Sequence, residues 1–482
     1  MTAILSMEVY QQQQSEAAYR AQVHAAVDEL LDALEVQMAA SSEELPSLFR
    51  LTEAVRAKRS QLSGTIVQAY VERTYGSYLQ QERADCPQCG RSLKARPSRP
   101  RTVATMVGAV TVNRPYFYCS RCQHGFYPLD EALGLSDHVK QTDIQEAACE
   151  LALDMPYEQA SAYLEKWTDA SISDSVLHDL VGEIGSNVTV LDVCPTREEI
   201  LQRIAQVGAG RKWKPILVLA MDGGDVPTRP ESAKGTRPGR KKVRARRGRW
   251  KGEWREAKGF RFYLVDEDRI VHLISWHQVQ TEEELGEALC QIKQAGLIPE
   301  EQVRLCAIGD GAPWIWKWVK KLFPSARQIL DYYHCSGYLH AVADAQYGAD
   351  PVRATEWLEA TMARLFCNEG AGVIWGLQRM KPVSDEAETA IEDALTYFTP
   401  RLEQITYGSH RKGGYPIGSG AIESAHRFIG HIRLKRSGAW WYTDNSNAVL
   451  ALRCARYNGT LERLFERRRH THISDTHSDG DR

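Results

Sequence analysis

The sequence predicts a multidomain α/β protein, and three observations predict it. Two apolar runs, KPILVLAMDGG and VRLCAIGDG, each close in Asp-Gly, as strands buried on both faces of a sheet do. Two C-x-x-C pairs, Cys86/Cys89 and Cys119/Cys122, bracket a stretch that alternates like a strand or hairpin. Helical periodicity governs most of the remainder. With 482 residues, 43% hydrophobic and 25% charged, the chain has room for several domains and an ordinary globular core. The net charge of −2 says nothing for nucleic acid; the charge distribution does. No apolar run reaches membrane-spanning length and the N-terminus has no signal-peptide pattern, so we expect a cytoplasmic protein without a membrane partner.

Taken in order, residues 1–82 are expected to be helical. Val23, Val27, Leu30, Leu31, Leu34 and Met38 recur at helical spacing, which suits a packing or oligomerisation bundle as well as a DNA-contacting one. Residues 83–135 are expected to form a zinc ribbon. Cys86, Cys89, Cys119 and Cys122 supply four soft ligands for one tetrahedral Zn²⁺, with 29 residues between the pairs. In a reducing compartment such pairs bind metal rather than form disulfides. Arg91, Lys94, Arg96, Arg99 and Arg101 lie between the pairs without an acid among them, as a solvated loop or as phosphate contacts. Residues 136–205 hold three short helical patterns within 141–186. They resemble a helix-turn-helix DNA-binding segment, with a plain three-helix packing as the alternative.

Residues 206–336 read as a sheet. The strand KPILVLAMDGG ends at Asp222, a basic loop spans 228–258, and a hairpin turns at Asp266–Arg269. A Thr-capped helix follows, then the strand VRLCAI ending at Asp310, a helix opened by Pro313, and a strand leading into Asp331-Tyr-Tyr-His334. From Arg229 to Lys258 there are thirteen Lys or Arg against three Glu. Arg240, Lys241, Lys242, Arg244, Arg246, Arg247 and Arg249 form the densest part and are expected to contact DNA. Residues 337–415 read as helices, 416–460 as a Gly/Ser turn with a helix carrying Glu423 in its first turn, and 461–482 as a disordered tail.

Two strands ending in Asp-Gly can bring Asp222 and Asp310 close together. Adjacent carboxylates repel unless a cation lies between them. Hard oxygen ligands suit Mg²⁺ or Mn²⁺. A pair of such ions about 3.5–4 Å apart would clamp the attacking and leaving oxygens of a phosphoryl displacement.

In this order, the strings MDGG, IGDGAPWIW, DYYH and GSGAIESAHR resemble the DDE transposases of bacterial insertion sequences, the ISKra type most closely, with ISLre-type and Mutator-like enzymes more distant. The resemblance covers roughly residues 214–457. It implies an RNase H-like catalytic core with an all-helical insertion, in which the first and fourth strands lie side by side. It also implies catalytic Asp222, Asp310 and Glu423 holding Mg²⁺ or Mn²⁺. The pair Asp331-x-x-His334 resembles the (C/D)-x-x-H signature of the Mutator-related group. His334 is then a supporting residue, and Asp331 is either another supporting residue or itself a metal ligand.

The function this predicts is a transposase that binds double-stranded element ends and target DNA, as a homodimer or higher oligomer on DNA, and cleaves and transfers strands. Two other readings stay open. One is a nuclease with the same core but no strand transfer. The other is a zinc-ribbon DNA-binding regulator whose catalytic domain has decayed.

Overall fold

The structure is a computed structural model and describes residues 7–39, 47–168, 170–231, 251–267 and 269–474. It is a mixed α/β chain that divides into two compact units, Met1–Val181 with Phe465–Arg482, and Gly182–Leu464. No helix among the described residues is long and apolar enough to cross a membrane.

The first unit opens with two long helices, Met7–Ala39 and Leu48–Thr74. Tyr19 meets Tyr70 edge-on between them, with the ring centroids 6.2 Å apart. The ribbon follows. Strands β1 (Arg83–Asp85) and β2 (Ser92–Lys94) pair antiparallel, and β3 (Arg96–Thr105), β4 (Gly108–Cys119) and β5 (His124–Phe126) form a three-stranded antiparallel sheet. The alternation expected of this stretch is met, since Val110 and Val112 turn inward from β4. They join Val71, Val103 and Leu129 in one apolar cluster. The second long helix can come this close because position 64 is glycine. A Cβ there would stand 2.7 Å from the Ala109 carbonyl oxygen.

Helices Thr142–Asp154, Tyr157–Thr168 and Asp174–Ser186 come next, where three were expected. The expectation of a disordered tail from residue 461 is corrected. Leu461–Ser474 is a helix, with Leu461, Leu464 and Phe465 buried at helical spacing and Arg469 paired to Glu146. Residues 475–482 lie outside the described residues.

The second unit is built on a five-stranded sheet of β6 (Ile216–Thr228), β7 (Glu253–Asp266), β8 (Arg269–Val279), β9 (Arg304–Gly309) and β10 (Arg327–Leu330). Their spatial order is β10-β9-β6-β7-β8. β6, β9 and β10 run parallel, while β7 and β8 fold back antiparallel as a meander from β6. The first half of β6, Ile216 to Met221, is wholly buried, as the continuous apolar run required. Helices Arg197–Gly208 and Glu282–Gln294 each open with a complete capping box, Thr196/Glu199 and Thr281/Glu284. Pro313 stands in the first turn of Pro313–Leu322, as expected.

From Tyr332 to Lys412 the chain is helical, with Leu339, Val342, Leu365, Leu377, Phe398 and Tyr407 at its core. Trp375 is 58% exposed. The chain then returns to the sheet as the helix Gly420–Ala425, a π-helical turn His426–His431, and the helix Thr443–Asn458, which packs on β8.

Candidate active site and metal centre

Topology places the carboxylates. β6 and β9 are neighbours, and their parallel pairing stops at Ala220 and Ile308. Asp222 follows on one strand two residues later, and Asp310 follows the last residue of the other. β6 itself does not end at Asp222. It runs on to Thr228, paired throughout with β7. The two glycines after Asp222 had read as a break, but they are points of close approach. A Cβ on Gly223 would collide with the Glu256 carboxylate, and one on Gly224 would stand 3.0 Å from His426 Nδ1. The Gly223 backbone N–H donates to Asp222 Oδ1 at 2.8 Å, and that of Ala312 to Asp310 Oδ1 at 2.8 Å. Trp316 Nε1 donates to the Asp310 carbonyl at 2.9 Å and so fixes the loop after β9.

Glu423 comes from the returning helix, in its first turn as expected. That helix is tied down by the buried Arg261 of β7, which donates to the Ala421 carbonyl at 2.6 Å. Burial pushes the Asp222 carboxyl up to about 6, and the negative charges of Asp310 and Glu423 push it the same way against the Gly223 N–H and His334. The three acids therefore form one electrostatic group. Asp222 is the desolvated member, and the charges of the other two act on it, which is the condition a hard divalent cation relieves. Their all-oxygen donor set also fits Mg²⁺ or Mn²⁺.

Asp331 is fully buried and caps the helix Tyr332–Tyr347. Its Oδ1 accepts from the His334 backbone N–H at 2.7 Å and faces His334 Nδ1 at 3.1 Å, while its Oδ2 accepts from the Ser419 N–H. Ser419 Oγ in turn donates to Glu423 Oε1 at 3.1 Å. Burial works to raise the Asp331 carboxyl, but the bonds from His334 and Ser419 outweigh it and hold it below the usual range. Both Asp331 oxygens are thus taken up by protein donors, and the residue supports Glu423 and His334 from behind. His334 is raised, chiefly by its bond to Asp331 and further by Asp310 and Asp222, which favours a positive imidazolium facing the acids.

Three histidines beside this group were not foreseen. His277 of β8 and His426 stand with ring centroids 4.5 Å apart, and His431 lies 6.3 Å beyond. Burial drives His277 well below its ordinary value and His426 to about 4, so both are neutral. The interval from 426 to 431 is five residues, the hydrogen-bond span of a π-helical turn, so a search at α-helical spacing passes over it. Arg453, buried on the helix Thr443–Asn458, donates to the Ile429 and Phe428 carbonyls of that turn.

Two cavities meet at Glu423. One, of about 500 Å³, runs past Asp222, Gly224, His426 and Arg427. The other, of about 710 Å³, lies between His334 and the helix Asp385–Phe398.

The four cysteines meet as expected. Among the described residues they are the one group of three or more metal-ligand types whose donor atoms all lie within 4.8 Å of one another. Cys86 and Cys122 sulfurs are 4.0 Å apart, and those of Cys89 and Cys119 are 3.7 Å apart. Four thiolates at about 2.3 Å from one tetrahedral ion stand about 3.8 Å apart, so the cluster fits a structural metal such as zinc. On the ribbon, Arg96 and Arg99 lie over the Tyr118 and Tyr116 rings at 4.7 and 4.6 Å. Arg101 is committed internally, bound to Asp130 at 2.9 Å. The basic cluster Arg240, Lys241, Lys242, Arg244, Arg246, Arg247 and Arg249 lies outside the described residues.

Residues 49–229 are similar to an uncharacterised protein family, UPF0236. The match takes in the ribbon with its four cysteines and ends just beyond Asp222, so Asp310, His334 and Glu423 lie outside it. No curated protein matches the chain.

Proposed function

We propose that the chain is a DDE-type DNA transposase of an insertion sequence, with an RNase H-like core, that cuts and joins DNA strands with divalent cations held by Asp222, Asp310 and Glu423. The observation that carries this reading is the convergence of Asp222 and Asp310, from two adjacent parallel strands, with Glu423 from the returning helix, each adding to the rise in the Asp222 carboxyl. The strand order, a three-strand meander flanked on its first strand by two parallel strands, supports the RNase H-like reading. The match to UPF0236 is consistent with a transposase-related role.

Bound Mg²⁺ or Mn²⁺ would activate the attacking oxygen and neutralise charge on the leaving one. The chain's own residues do the rest. Asp222, Asp310 and Glu423 serve as ligands, and none of them transfers a proton in the reaction. Asp331, through Ser419, aims Glu423, and it holds His334 by Nδ1, which orients the imidazole ring toward the bound phosphate. Arg427, exposed on the cavity wall past Asp222, adds positive charge along the path of the strand. Double-stranded DNA is the partner. The exposed arginines of β3 and the basic segment between β6 and β7, shorter than the loop 228–258 expected because Thr228 and Glu253–Lys258 are paired strand, make sequence-independent phosphate contacts. The helix Asp174–Ser186 carries Asp174, Asp179 and Glu183 but no Lys or Arg, so positive charge for DNA comes from the ribbon rather than from this helix. The chain acts in the cytoplasm as a homodimer or higher oligomer on DNA.

The test is cleavage of duplexes bearing the ends that flank the reading frame. Asp222→Asn, Asp310→Asn and Glu423→Gln should each lose cleavage and keep DNA binding. Near-normal cleavage by any one removes that residue from the site.

A further inference from the structure

The larger cavity beside Glu423 has a chemistry that phosphate binding does not use. Its walls include two tyrosine rings. Tyr333, 70% exposed, rests on the turn that precedes Glu423, where a Cβ on Gly418 would stand 2.8 Å from the ring. Tyr338 stacks on the buried Tyr397 at 4.1 Å and 23°, and Tyr397 in turn covers Gly311, where a Cβ would stand 2.3 Å from its ring. Each aromatic face is thus seated, directly or through one ring, on a glycine beside Glu423 or Asp310.

The opposite wall is acidic. Glu386, Thr389 and Asp393 recur at helical spacing on the helix Asp385–Phe398 and line the cavity together with Glu423. Carboxylates repel a phosphate, so the DNA backbone does not enter. They accept hydrogen bonds from amino groups, and tyrosine faces stack on flat rings. A neutral, planar, amine-bearing group attached to a strand lying at Glu423 meets every one of these conditions.

Building on the proposed handling of DNA, we infer that this cavity receives one extrahelical nucleobase of the bound strand. The base stacks on Tyr333 and Tyr338 and is held by its exocyclic amino group to Glu386 and Asp393. Adenine, cytosine and guanine carry that amino group and thymine does not. Occupancy draws one nucleotide out of the helix next to the acids and opens the duplex at the place of reaction.

The test is binding of the intact protein, in Ca²⁺, to duplexes of one sequence that are either perfect or carry a single unpaired A, C, G or T. The A, C and G bulges should bind about tenfold more tightly than the perfect duplex, within the range of one base–aromatic stack, and the T bulge less so. Tyr333→Ala should bring all bulges to the level of the perfect duplex, and Tyr333→Phe should keep the preference. Glu386→Ala/Asp393→Ala should keep tight bulge binding but erase the difference between T and the others. Unchanged affinity for the perfect duplex shows that each variant is folded. Equal binding of bulged and perfect duplexes by the wild type, or a preference that survives Tyr333→Ala, overturns the inference and leaves the proposed function standing. Failure to bind any duplex overturns both.

Discussion

Asp222 shows at one residue how a reactive site costs stability. Its carboxyl is pushed to about 6 in the folded chain, against an ordinary value of about 3.9. Between those two values the folded protein keeps a proton that the unfolded chain has released. Stability from this group is therefore present below pH 4 and is lost as pH rises through about 6. A shift of roughly two units corresponds to about 3 kcal/mol at pH 7. Without added divalent cation, Asp222→Asn should melt at a higher temperature than wild type at pH 7. The gap should shrink toward pH 4 and in Mg²⁺. Identical melting curves at pH 7 would contradict this. Asp331 is predicted to behave differently, because its oxygens are already bonded within the protein. Asp331→Ala should destabilise by about 1–3 kcal/mol and slow cleavage, while the Mg²⁺ concentration for half-maximal rate stays unchanged. A metal ligand would raise that concentration many-fold.

At the scale of elements, the ribbon and the basic loop make separate predictions. Purified protein should carry one zinc per chain, and Cys86→Ser/Cys119→Ser should carry none and lose the ribbon's order, since the small β1–β2 and β4–β5 pairings have little core besides the metal. Elemental analysis checks this, and zinc content unchanged by the double substitution would remove the assignment. For the loop, replacing Arg240, Lys241, Lys242, Arg246 and Arg247 with Ser should flatten the dependence of log affinity on log salt. If the loop neutralises about four to six phosphates, the slope falls by about 0.9 for each. Sequence preference should persist, because phosphate contacts position DNA without reading it. An unchanged slope across a salt series would make the loop a solvated excursion.

For the whole molecule, what was legible followed from signals that are local in the chain. The buried strands announced themselves as apolar runs, the ribbon by paired C-x-x-C, and the Thr281 helix by its capping box. What escaped depends on partners far apart in sequence. Gly223 and Gly224 looked like the end of a strand, but they exist to admit Glu256 and His426. His277 joins His426 only through the sheet, and His431 joins them only through a π-turn. The last helix looked like a charged tail because the buried edge of Leu461, Leu464 and Phe465 is short. Asp331 could have been a ligand until Ser419, 88 residues later, occupied its second oxygen. The central claim is that three carboxylates, from two neighbouring strands and a returning helix, form one phosphoryl-transfer site. It is tested most directly by incubating the protein with labelled element-end duplex, a supercoiled target and Mg²⁺, and following both nicked end and joined product. The account predicts Mg²⁺-dependent cleavage followed by joining, both absent in Glu423→Gln. Cleavage without any joined product would mark a nuclease instead, and cleavage that persists in Glu423→Gln would contradict the site itself.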